Sequence, residues 1–123
     1  MTLNNFSFEN IIIKNELSYY DCPLIYTFYI KDDNNIYFCY TIDYLKSIII
    51  PISEYKSNEL LLNELLLNKI SLNNFFKSVE SCYLITINKF KNNKIEISNI
   101  NYNELLDNEY IPKDDNLYFY LNE

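Results

Sequence analysis

The chemistry open to this 123-residue sequence rests on carboxylates, lysines, tyrosines and three cysteines, because histidine and arginine are both absent. Without histidine there is no imidazole base, no Ser-His-Asp or Cys-His pair and no His-ligated zinc. Without arginine there is no bidentate clamp for phosphate or carboxylate. Glycine is absent as well, which closes the phosphate loops and dinucleotide turns that need backbone only glycine allows near a phosphate. Alanine, glutamine and tryptophan are also missing while asparagine, isoleucine, leucine and tyrosine abound. AT-rich coding explains that pattern, and the chemical consequence is the same either way.

Among the carboxylates, Asp43, Glu54 and Lys56 fall in the order of the Asp…Glu-x-Lys metal-nuclease core, where acids hold Mg²⁺ and lysine assists water. That core needs Glu and Lys on a strand, whereas here they sit where a helix begins. Capping and surface roles are the expectation. Asp32-Asp33 and Asp114-Asp115 carry hard oxygen ligands but lack the spacing of an EF-hand loop, so they read as solvated turns. A glycosidase pair needs no local motif, yet the chain is small for a sugar cleft and lacks tryptophan as a stacking platform. Cys22, Cys39 and Cys82 contain no CxxC pair. Two of them, in strand-like runs, act as small apolar core residues, and a reduced protein is expected. No catalytic residue, metal ligand or cofactor is assigned.

The tyrosines point elsewhere. Tyr26, Tyr37, Tyr118 and Tyr120 lie in strand-like runs, with Tyr19 and Tyr20 just before one of them. Tyrosine gives large contact area at low entropy cost and is enriched where proteins meet. Tyr37, Tyr118 and Tyr120, with Asp114 and Asp115, are therefore the candidate partner-binding residues. Core packing is the competing reading. The net charge of −7, from 17 acids against 10 lysines, opposes direct binding to nucleic acid or an anionic membrane. It favours a protein partner with a basic surface, or a second copy of the chain.

These residues need a scaffold. At 49% hydrophobic and 17% aromatic, the chain can build one core over residues 1–123. Its apolar clusters fall short of the roughly 20 residues of a membrane span. The opening ten residues show no basic-then-apolar leader, so a cytoplasmic location is expected. Asn10–Lys14, Leu24–Ile30, Ile36–Ile42 and Ile48–Ile52 read as strands. Asp32-Asp33-Asn34-Asn35 closes a hairpin between the second and third, with Asn or Asp at positive φ in place of glycine. Ser53 caps a helix over 54–67 whose Leu61, Leu62, Leu65 and Leu66 recur at helical spacing. Asn68 ends it in the left-handed region, and Ser71 caps a second helix carrying Leu72, Phe75 and Phe76. Cys82–Asn88 and Lys94–Ser98 form another hairpin, Asn103–Asp107 a helical turn, and Leu117–Leu121 a last strand. The fold class is α+β: a mainly antiparallel sheet of five to six strands, with two helices inserted after the third strand and packed on one face.

Tyr19-Tyr20-Asp21-Cys22-Pro23-Leu24, Ile36-Tyr37-Phe38-Cys39-Tyr40 and Ile49-Ile50-Pro51-Ile52-Ser53 resemble landmarks of a small bacterial domain family of unknown function. Lys69-Ile70-Ser71-Leu72 with Phe75 and Phe76 is similar to its short second helix, and Tyr110-Ile111-Pro112 to its closing segment. The likeness runs from about residue 10 to 121, and Cys22 and Asn68 stand where the family has glycine. It implies a fold and no catalytic residues. By analogy it places the chain among accessories of phage–bacterium conflict. The expected function is a non-enzymatic acidic protein-binding module acting by surface occlusion, such as an anti-CRISPR-like inhibitor of a nucleic-acid enzyme. The alternatives are an immunity protein or antitoxin that neutralises a toxin, and a metal-dependent nuclease.

Overall fold

The computed structural model describes residues 9–20, 22–31, 35–52, 56–79 and 82–111. Six strands form one antiparallel sheet in chain order: β1 (Ile11–Tyr20), β2 (Cys22–Ile30), β3 (Ile36–Asp43), β4 (Lys46–Pro51), β5 (Cys82–Asn88) and β6 (Lys94–Ile100). Helices α1 (Lys56–Leu66) and α2 (Leu72–Ser78) follow β4, and α3 (Tyr102–Asp107) follows β6. The α+β class and the hairpins 24–30/36–42 and 82–88/94–98 are as expected. The helices enter one strand later than expected, after the fourth. All four strand-like runs before the helices are strands, so the expected count was one short; β1 itself also continues past Lys14 to Tyr20 through three register shifts against β2. Such shifts let a strand carry on where its alternation lapses. Ser53, Glu54, the turn residues 32–34 and the strand expected at Leu117–Leu121 lie outside the described residues.

Residues opposed across neighbouring strands share a face. Tyr26, Cys39, Ile49 and Tyr83 therefore form one row across four strands, and Phe38 with Ile50 points to the other side. Tyr37–Cys39 in β3 and Ser47–Pro51 in β4 are buried without a break. A strand covered on both faces reads as such a run and not as alternation.

On the first face, Phe38, Ile48 and Ile50 meet Leu65 of α1, Leu72, Phe75 and Phe76 of α2, and Leu105 of α3. Phe38 packs edge-on to Phe75 at 5.1 Å between ring centres, and Tyr40 edge-on to Phe76 at 5.4 Å. On the second face, Tyr26, Phe28, Tyr37, Cys39, Ile49 and Ile85 form a separate cluster.

Asparagine does glycine's work at the turns. Asn68, with φ 58°, closes α1: its N–H donates to Leu65 O and the Lys69 N–H to Glu64 O, at 3.1 and 2.8 Å. That is the paired bonding of a Schellman end. Asn92 and Asn93 are left-handed too, at φ 54° and 60°. Ser71 caps α2 by accepting from the Asn74 N–H at 3.3 Å. The sequence held no sign of Glu109, which takes φ 58° at an equivalent end of α3. There the Tyr110 N–H donates to Leu105 O, and the Glu109 N–H to Leu106 O.

Candidate functional site

Two turns at one end of the sheet hold the most exposed aromatic side chains among the described residues. Tyr44-Leu45 joins β3 to β4, and Asp43 shapes the turn by accepting the Leu45 N–H on Oδ1 at 2.7 Å. A 3₁₀ turn at Lys89–Lys91 leads from β5 toward β6. Asn88 starts it by accepting the Phe90 N–H on Oδ1 at 3.0 Å, and Asn92-Asn93 closes it in the left-handed region. Because β4 pairs with β5, the two turns are neighbours, joined by the Ile87 N–H donating to Leu45 O at 2.8 Å. Phe90 is 101% exposed and Tyr44 is 75% exposed. Lys89 links them: its Nζ lies 4.5 Å from the centre of the Tyr44 ring and 3.4 Å from the Tyr44 hydroxyl. Lys46, Lys91 and Lys94 flank the same turns, so four of the 10 lysines gather at this end of an acidic chain.

Beneath the tips, the second face holds a cavity of about 380 Å³. Ile11 and Ile13 of β1, Leu45 of the turn, and Ile85 and Ile87 of β5 supply apolar walls, with Tyr26 among the lining residues. Thr41 and Ser47, opposed in the β3–β4 register, add hydroxyls. With Tyr26 they also hydrogen-bond the Cys39 thiol. Burial pushes that thiol up to about 11, and the three hydroxyls draw it only partly back. Cys82 is raised to about 12 by burial alone. Both thiols are therefore protonated at neutral pH, whereas a nucleophilic cysteine needs the thiolate.

The expected site residues fare unevenly. Tyr37 is 0% exposed and stacks on Phe28 with ring centres 5.2 Å apart. It serves the core of the second face and offers no surface to a partner, because a bulky ring in a strand buried on both sides has no way out. Tyr118, Tyr120, Asp114 and Asp115 lie outside the described residues, as do Asp32 and Asp33. Asp43 is a turn cap and Lys56 opens α1. Among the described residues no three histidine, cysteine, aspartate or glutamate side chains converge as a metal set, and no helix is long and apolar enough to cross a membrane. Tyr44, Lys89 and Phe90 were missed. The signal was Lys89-Phe90-Lys91-Asn92-Asn93, since an aromatic between lysines in a tight turn has no core to enter. No family model, curated protein or solved structure matches the chain.

Proposed function

We propose that the chain is a non-enzymatic protein-binding module that acts by covering a partner's surface. The observation that carries this is the pair of exposed aromatics, Tyr44 and Phe90, held on adjacent turns. Aromatic anchors of this kind dominate binding energy when they enter a partner's pocket. The four lysines around them revise the expected partner. The net charge of −7 favours a basic surface, but this end of the sheet matches an acidic rim around an apolar pocket. The setting proposed is the cytoplasm, in a conflict between phage and bacterium. As an inhibitor of a nucleic-acid enzyme, the module would then cover a site other than the phosphate-binding groove.

The test is quantitative cross-linking in the source cells with wild type and with the Tyr44→Ala/Phe90→Ala double variant as bait. Each truncation is expected to weaken partner binding by about 2 kcal/mol while the melting temperature stays close to wild type. Equal capture by both baits would remove these aromatics from the interface. Turnover of a nucleic acid with Mg²⁺, abolished by Asp43→Asn, would replace the module with an enzyme.

A further inference from the structure

We infer that the cavity under the β3–β4 tip is a binding site for a single-chain anionic amphiphile, a medium-chain aliphatic carboxylate. This goes beyond the protein contact proposed above: the apolar walls are separate residues, and Tyr44, Lys46 and Lys89 at the mouth are shared with it. The volume of about 380 Å³ lies near the lower end of the roughly 300–1,000 Å³ of small-molecule sites. Such a space takes one chain and not two. Its walls are the aliphatic groups of Ile11, Ile13, Leu45, Ile85 and Ile87, which offer a chain dispersion contacts and no unmet polar group.

The head-group preference comes from the mouth. Tyr44 lines the cavity and holds the Lys89 ammonium 4.5 Å from its ring, and Lys46 belongs to the same lining. Asp43 is the one carboxylate of the lining, and its Oδ1 is engaged by the Leu45 N–H at 2.7 Å. Lys46 and Asp43 balance within the lining, and the Lys89 ammonium held on Tyr44 beside it adds one positive charge, which suits an anion and penalises an ammonium. The Tyr44 hydroxyl, 3.4 Å from Lys89 Nζ, adds a hydrogen bond to a carboxylate placed there. The Thr41 and Ser47 hydroxyls already hydrogen-bond Cys39, so the wall they form does not compete for the head group.

Decanoate is the probe, titrated into ¹⁵N-labelled full-length protein, with octanoate and dodecanoate as a length series. Saturable binding should shift the amides of Ile13, Thr41, Ser47, Ile85 and Ile87. Affinity should rise by about fourfold per added methylene until the chain fills the space. Ile13→Trp places an indole in the cavity from a residue that is 39% exposed, and should weaken decanoate binding at least tenfold. Ile87→Phe is the second filling variant should the first lower the melting temperature. Lys89→Glu should weaken decanoate about tenfold and leave decanol unchanged. No saturable binding at roughly millimolar decanoate overturns the proposal, as does binding indifferent to both filling variants. Decyltrimethylammonium binding as tightly as decanoate overturns the anionic head group.

Discussion

The two faces of the sheet are built from the same strands and similar residues, yet they are filled differently. On the helix-covered face, Phe38, Phe75 and Phe76 interlock edge to face with isoleucines and leucines from β4 and all three helices. On the second face, Tyr26, Phe28, Tyr37 and Cys39 pack as a smaller cluster that ends in a cavity of about 380 Å³. Hydroxyls accompany the thiol there, and the exposed Tyr44 of the β3–β4 turn lines the cavity. Close packing maximises stability and leaves nothing to bind. A face with open volume, hydroxyls and a cationic mouth gives up some packing and gains somewhere for a ligand to go.

The sharpest way to break the contrast is Phe38→Ala. That ring is fully buried between the sheet and α2, and its loss should cost about 3–5 kcal/mol in chemical denaturation. A cost below about 1 kcal/mol would mean that the helix-covered face is not tightly filled.

The thiols separate the faces by pH. Cys82 in the first cluster is raised from 9.0 to about 12, and Cys39 in the second from 9.0 to about 11. A raised folded value means that the unfolded chain loses its proton first as pH rises. Stability is therefore complete below about pH 9 and declines above it, toward the folded values. Urea midpoints between neutral and alkaline pH should fall, and Cys82→Ala should flatten the decline more than Cys39→Ala. A midpoint that rises over this range would reverse the sign of the argument.

Asn58 is a flaw within the well-packed half. It is 0% exposed in α1, and among the described residues neither its Nδ2 nor its Oδ1 has a hydrogen-bond partner. A buried amide left unmade costs about 1–3 kcal/mol, so Asn58→Leu, close to it in shape, should raise stability by about that much. Destabilisation measured by thermal melt would mean that the amide has a partner in solution.

The smallest expected effect lies at the helix ends. Glu109 holds φ 58° without glycine's freedom, so Glu109→Gly should stabilise by about 1 kcal/mol. Asn68→Gly should gain no more than about that, since asparagine tolerates the left-handed region better. A loss at Glu109 would show that its side chain matters more than its backbone.

Local rules made much of the scaffold legible. Leu61, Leu62, Leu65 and Leu66 marked α1 because a helix repeats every 3.6 residues. Ser71 marked the start of α2 because its hydroxyl can accept an orphan N–H. Asn68 was legible as a left-handed position because no glycine was there to take it. β1 was read short, because register shifts are made by the partner strand and leave no periodic trace. The candidate site was less legible still. Tyr37 reads equally well as an anchor or a core ring, and only its neighbours Phe28 and Cys39 decide which. Total charge concealed the lysines of the two tips, because a sum carries no positions.

The sequence by itself determined the chemistry this chain can attempt, the α+β class, two of its hairpins, the residue that ends α1 and the cap that starts α2. Each of these depends on side-chain type or on neighbours a few positions away. Tertiary structure alone decided which face the helices cover, how far β1 runs, that Tyr44 and Phe90 share one end with four lysines, and that a cavity lies beneath them. Those features join residues 11–13, 41–47 and 85–90. Contacts across such separations are set by strand register and packing, which no short stretch of sequence specifies.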